Sequence, residues 1–234
     1  PAPRRVPWRG SWQAAGMELS RLGHACVRLE KPGSRLVIDP GAFSAPDAVD
    51  GADAVLVTHQ HADHVALPAL RQALADAPAL EVWAPAAVVA ALTDGAPQVA
   101  TRVHAVSAGD AFDAAGFAVR VFGGLHAVVH ADIPRIANLA YLVDGAVLHP
   151  GDSFTLPATP VDVLLAPTGA PWLKAAEVID YVRAVGPRLV LPIHDAFYSA
   201  AGLALVDTLL GPNGPGIGGA EYRRPTEGEK VAVR

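Results

Sequence analysis

Cysteine, lysine and aromatic residues are scarce in this 234-residue chain: one cysteine (Cys26), three lysines and 6% aromatic content. A single cysteine can form neither an internal disulfide nor a cysteine-based zinc cluster. The chain also lacks any unbroken apolar run approaching the ~18 residues of a membrane-spanning helix. Its N-terminus carries arginines without an apolar core, so no signal peptide is read and a cytoplasmic protein with no membrane span is the expectation. The 15 arginines are scattered and the formal net charge is −5, so no basic face for nucleic acid is read and a small-molecule partner is the expectation. With 51% hydrophobic and 18% charged residues, the chain is neither a disordered tail nor a coiled coil, and it is long enough for a substantial core.

Residues 1–16 differ from the rest. They hold three prolines, three arginines and two tryptophans, Trp8 and Trp12, without helical or strand periodicity. They read as an arm or upstream extension, either separate from the domain or packed on it as a strap. Met17 is the expected natural start and 17–234 the expected domain. The apolar arm could hold a homo-oligomer.

From Met17 the chain reads as short strands, then strands interleaved with helices. His24–Glu30 and Arg35–Asp39 form an expected hairpin around Pro32-Gly33. Apolar runs predict strands at Ala52–Thr58, Leu80–Trp83, Thr101–Val106, Phe117–Phe122, Leu139–Val143, Ala146–Leu148, Val161–Ala166 and Arg188–Pro192. Asp144-Gly145 carries the chemistry of a type I′ hairpin turn. Helices are expected at Leu67–Ala75, Ala86–Leu92, Ala175–Val185 and Ala200–Leu210, a loop at Gly211–Gly219 and an edge strand at Lys230–Val233. This order predicts an α/β fold in which two mixed sheets pack face to face with helices outside, a four-layer αββα sandwich.

The most informative segment is Thr58-His59-Gln60-His61-Ala62-Asp63-His64, where four metal-type side chains follow a buried strand. His59 and His61, two residues apart, can both face one ion from an extended turn, and Asp63 and His64 continue around it. Neutral imidazoles with a carboxylate suit zinc, with manganese or iron(II) as alternatives where oxygen ligands dominate.

The pattern His59-x-His61-x-Asp63-His64 resembles the signature of the metallo-β-lactamase superfamily, whose fold is the αββα sandwich. Later landmarks appear in the order that resemblance requires. His126 follows a strand and Gly123-Gly124, Asp152 lies in His149-Pro150-Gly151-Asp152-Ser153, and His194 ends a strand in Leu191-Pro192-Ile193-His194. The resemblance implies two divalent metal ions: the first on His59, His61 and His126, the second on Asp63, His64 and His194, with Asp152 shared. His130 is an alternative to His126, His149 reads as a strand-end residue, and His104 as a partly buried structural one. Gly23-His24-Ala25 and Ile38-Asp39-Pro40 resemble the smaller metal-dependent hydrolases of this group, lactonase-like and phospholipase D-like members among them. Cysteine-liganded zinc β-lactamases fit poorly because Cys26 precedes the histidine cluster, and His61 stands where the diiron redox members have glutamate.

Such a centre implies hydrolysis of an ester, lactone, amide or phosphodiester by a water activated between two cations. A non-catalytic binding protein on a metal-binding fold and a redox metalloprotein are the alternatives. Asp63 is the candidate to orient the nucleophile, and His24 and His130 are the candidate acids for the leaving group. His24 reads equally as a sheet-end hydrogen-bonding residue, and Asp39 as either the support of a ligand imidazole or a turn residue. Arg135 and His130 lie on a loop leaving His126 and are the candidate substrate-binding residues. Pairing of Arg135 with Asp132 at the surface is the competing expectation.

Overall fold

The computed structural model describes residues 16–234, so the expected arm lies outside the described residues except for Gly16. Six strands build most of the first sheet: β1 (Glu18–Arg21), β2 (Val27–Lys31), β3 (Ser34–Ile38), β4 (Ala54–Leu56), β5 (Glu81–Ala84) and β6 (Val103–Ala105). Helices α1 (Leu67–Asp76) and α2 (Ala86–Thr93) cross between its parallel strands. The second sheet contains β7 (Ala111–Ala114), β8 (Phe117–Leu125), β9 (Ala137–Val143), β10 (Val147–His149), β11 (Val163–Pro167), β12 (Leu189–Ile193) and β13 (Glu221–Tyr222). Helices α3 (Ala175–Val185) and α4 (Ala200–Leu210) follow β11 and β12, and β14 (Lys230–Ala232) returns to pair with β1. The spatial orders are β14-β1-β2-β3-β4-β5-β6 and β13-β12-β11-β10-β9-β8-β7.

Strand alternation sorts side chains into three apolar layers. In β2, Val27 and Leu29 are fully buried while Arg28 between them is only partly so, as a period of two requires. Leu19, Leu29, Leu36, Phe117, Tyr141, Leu165 and Leu191 fill the space between the sheets. The outer face of the first sheet, with Val37, Val55 and Val82, packs on Leu70 and Leu74 of α1 and Val88 and Leu92 of α2. The outer face of the second, with Leu142, Leu164 and Val190, packs on Val178 and Val182 of α3 and Val206 and Leu210 of α4. The result is the αββα sandwich. Among the described residues no helix is long and apolar enough to cross a membrane.

Several boundaries differ from the expected ones for local reasons. The strand expected from His24 begins at Val27, because Gly23 and His24 adopt φ of 95° and 48° and the Leu22 N–H turns back to the Cys26 carbonyl at 2.8 Å. Residues Pro97–Arg102 form a 3-10 turn, shortening the strand expected at Thr101–Val106. Strand β8 runs through Gly123-Gly124 to Leu125 by pairing with β9. At Asp144-Gly145 both φ angles are positive, and the Ala146 N–H closes the turn on the Val143 carbonyl at 2.9 Å, as the type I′ expectation requires. The short strands β7 and β13 carry no apolar run that would announce them.

Candidate metal centre

The chemistry-bearing residues meet where loops leave the C-terminal ends of strands from both sheets: Asp39 after β3, His59 to His64 after β4, His126 after β8, Asp152 after β10 and His194 after β12. Ends of parallel strands are where open α/β sheets leave room for ligands. Five described residues other than glycine have positive φ, and three of them, His24, Asp39 and His194, belong to this region. Left-handed backbone is costly for such residues and persists where the surroundings fix it. The 2.6 Å Asp39–His64 contact and the 3.0 Å bond from the His194 N–H to the His24 carbonyl are part of that fixing. Two glycines permit close approach. A Cβ on Gly41 would lie 1.8 Å from the Asp63 carbonyl oxygen, and one on Gly151 would lie 2.4 Å from Asn138 Oδ1.

Two groups of donors result. His59, His61, His126 and Asp152 each offer an atom within 4.8 Å of the others, and so do His24, Asp63, His64 and His194. Asp152 stands between the groups: Oδ1 lies 3.1 Å from His64 Nε2, and Oδ2 lies 3.2 Å from both His126 Nε2 and His194 Nε2. His64, His126, His194 and Asp152 are all nearly inaccessible, whereas His61 is exposed and Asp63 half-buried, so the centre opens to solvent on their side.

The far ring nitrogens decide which lone pairs point inward. His126 Nδ1 and His194 Nδ1 each lie 2.7 Å from a backbone carbonyl, of Ala127 and Gly169. A carbonyl only accepts, so both Nδ1 atoms carry the proton and Nε2 is left to offer a lone pair. Asp39, fully buried, accepts from the Thr58 N–H at 2.7 Å, the Thr58 hydroxyl at 2.7 Å and His64 Nδ1 at 2.6 Å. Because the Thr58 hydrogen goes to Asp39, Thr58 Oγ1 accepts from His59 Nδ1 at 3.0 Å. One carboxylate thus orients two imidazoles. His24 is wired the other way. The Ala196 N–H donates to its Nδ1 at 3.2 Å, so its Nε2 carries a proton and donates to Asp63 Oδ2 at 3.2 Å. His24 therefore holds Asp63 in place.

Charge reinforces the arrangement. Burial disfavours an ionised Asp152, yet His64, His126 and His194 hold its carboxyl well below the usual range. Burial opposes ionisation of Asp63 too, and His194 and His24 likewise hold it down. Burial would lower His64, but Asp152 and Asp39 push it up to about 10. For His194, Asp152 and Asp63 overcome burial and raise it to about 9. Burial, aided by neighbouring imidazoles, lowers His59 and His61. The Nε2 atoms of His64, His126 and His194 and Oδ1 of Asp152 are buried and make no aligned hydrogen bond, the imidazoles meeting the Asp152 carboxylate only as ion-pair contacts. Such orphaned atoms are expensive unless something occupies the space they face, and a divalent cation fits this donor set of imidazole nitrogens and carboxylate oxygens.

Residues 18–194 match the model of the beta-lactamase superfamily domain. The chain belongs to the metallo-β-lactamase superfamily. It is 42% identical over 186 residues to a Mycobacterium tuberculosis protein, covering 77% of this chain and 84% of that one. It is 34% identical over 197 residues to a UPF0173 protein of Pyrococcus furiosus, covering 79% and 86%. In fold it resembles a metallo hydrolase of the hyperthermophilic archaeon Ignicoccus hospitalis, at a TM-score of 0.66 and 20% identity over 92% of this chain and 97% of that one.

Of the residues anticipated from sequence, His59, His61, Asp63, His64, His126, Asp152 and His194 all fall in the two groups, and His24 faces the site as well. His149 is buried and bridges backbone, donating to the Ala25 carbonyl at 2.9 Å and accepting from the Gly151 N–H at 3.1 Å. His104 is partly buried, stacked on Trp83 and 3.5 Å from Glu81. His130 is exposed, and its Nδ1 lies 3.5 Å from Asp132. Arg135 turns back instead of pairing with Asp132: its Nε donates to the His126 carbonyl at 2.6 Å. Two contributors carry no spacing signal in this superfamily member. The Trp172 indole N–H donates to Asp152 Oδ2 at 3.0 Å, and Asn138 holds both the Pro150 carbonyl and the Asp152 N–H at 2.9 Å.

Proposed function

We propose that this metal-dependent hydrolase binds two divalent ions, zinc before manganese or iron, and cleaves an ester, lactone or phosphodiester bond of a small molecule. The observation that carries the reading is the set of buried atoms on His64, His126, His194 and Asp152 that make no aligned hydrogen bond and converge where the two donor groups meet. His59, His61 and His126 would hold the first ion, Asp63, His64 and His194 the second, and Asp152 both. When bound, such a pair supplies an activated water near neutral pH and positive charge for the oxygen that becomes negative during reaction.

The residues do the positioning. Asp39, Thr58 and the carbonyls of Ala127 and Gly169 fix ring orientation and tautomer, so the lone pairs face inward before any ion arrives. Asp63, kept ionised at the solvent edge, orients the attacking water by accepting its hydrogen bond, and His24 keeps that carboxylate aimed. His130, exposed at the rim, is the candidate to protonate the leaving group, and Arg135, whose Nε donates to the His126 carbonyl, is the candidate to brace that loop beside the substrate. The net charge of −5 favours a small molecule over nucleic acid.

The test compares chelator-stripped protein with protein reloaded with zinc or manganese on a panel of aryl esters, lactones and bis(p-nitrophenyl) phosphate. Metal-dependent turnover of at least one class supports the proposal. No turnover of any class with either metal contradicts it.

A further inference from the structure

The large apolar side chains exposed on this protein are not spread evenly. Of those exposed among the described residues, Leu205 lies on α4 and Leu125 ends β8, and the rest lie in loops that carry the centre. Phe43 and Phe197 are 48% and 57% exposed, although each ring has a neighbour to pack on. Their centroids are 5.4 Å apart at an edge-to-face angle of 82°, and both rings abut His24, at 5.4 and 5.2 Å. Phe197 also lies 5.9 Å from the His194 ring. Opposite, Trp172 approaches His126 at 6.1 Å, and Val128 and Ile133 are exposed on the loop that leaves His126. Loops at a water-facing rim are ordinarily polar, and clustered exposed apolar groups mark binding surfaces. Neither cation nearby is aimed at the Phe43–Phe197 edge by any contact it makes. Arg135 is folded onto the His126 carbonyl, and Lys174, two residues beyond Trp172, stands 3.8 Å from Glu177.

We propose that the Phe43–Phe197 edge receives an apolar acyl or aryl group of the substrate, so that the enzyme prefers uncharged substrates with such a group to phosphorylated or carboxylate-bearing ones. This rests on the hydrolase reading above and narrows its substrate class. Phe43 and Phe197 are then specificity-determining residues, placed beside the second donor group, and the reacting bond lies between them and Asp152.

The test uses the full chain loaded with zinc. Kinetics with p-nitrophenyl acetate and hexanoate are paired with binding of acetohydroxamate and hexanohydroxamate, which needs no turnover. A buried methylene favours transfer by about fourfold, and a half-open surface by about twofold, so four methylenes should give about 16-fold tighter hydroxamate binding and a similar gain in kcat/KM. In the Phe43→Ala/Phe197→Ala double variant, metal content should be unchanged and the preference should fall below about threefold, chiefly through KM. Phe197→Lys, at an exposed position, should weaken the hexanoyl compounds and improve a succinyl ester. Equal binding of the two hydroxamates by wild type, or a full preference in both variants, overturns the proposal while leaving the hydrolase reading intact. A hydroxamate preference that the variants lose, without turnover of any ester, lactone or phosphodiester, supports the apolar edge and contradicts the hydrolase reading. A wild-type dimer that Phe197→Lys converts to monomer, with no chain-length preference, assigns this face to a second copy and overturns the proposal.

Discussion

Asp39→Asn is the most informative single change, because it keeps shape and backbone while altering one pattern of donors and acceptors. Asp39 has φ of 53°, a region asparagine tolerates as well as aspartate, so the turn is preserved. The carboxylate accepts three hydrogen bonds, from the Thr58 N–H, the Thr58 hydroxyl and His64 Nδ1, at 2.6–2.7 Å. An amide accepts only at its oxygen. If that oxygen stays on the Thr58 N–H, the NH₂ faces His64 Nδ1 and forces the imidazole proton onto Nε2, where the lone pair is needed. If the amide flips, its NH₂ opposes the Thr58 N–H, at a cost of roughly 1–3 kcal/mol. Either outcome weakens the second ion, by about 10–100-fold in affinity or ~1.4–2.7 kcal/mol. Metal-free stability should fall by about 2–3 kcal/mol, and the melting temperature by roughly 4–12 °C for a chain of this size. Competition titration against a chromophoric chelator reads the affinity, and calorimetric melting of stripped protein reads the stability. Wild-type affinity for both ions in Asp39→Asn would refute the tautomer argument.

Asp152→Ala removes the carboxylate that faces both donor groups, so turnover should drop by more than ~100-fold with loss of the second ion, measured by kinetics and elemental analysis; a fully active, fully loaded variant rules Asp152 out. Arg135→Ala frees the His126 carbonyl and should loosen the first ion several-fold, whereas His130→Ala should leave both ions and lower kcat/KM; the reverse pattern would exchange their roles. In stripped protein the folded pKa values of His64 and His194, about 10 and 9, exceed the ordinary 6.5. Their stabilisation is therefore full below pH 6.5 and is lost as pH rises through 9 and 10. Loading at pH 7 should release about two protons per chain, read by calorimetry in buffers of different ionisation enthalpy, and no release would contradict the assignment.

Much of the centre was legible because four candidate residues fall within six positions and the others follow strand ends in a fixed order. His59, His61, Asp63 and His64 need only one loop to converge. Trp172 and Asn138 were not legible, since they reach Asp152 from the loop before α3 and from strand β9, 20 and 14 positions away in sequence. His24 was visible as a candidate but not its role, which depends on the Ala196 N–H that only the folded chain brings to it. The sandwich followed from apolar runs long enough to bury. Strand β7, Ala-Phe-Asp-Ala, is short and interrupted by Asp113, and it exists by pairing with β8. The start of β2 shifted because left-handed backbone at His24 leaves no mark in a hydrophobic pattern.

Elemental analysis of the purified full chain, stripped and then reloaded with zinc or manganese, tests the proposed dinuclear centre directly. Two ions per chain, about one of them lost on Asp152→Ala, is the expected result. One ion or none in wild type, under saturating metal, would contradict the dinuclear centre.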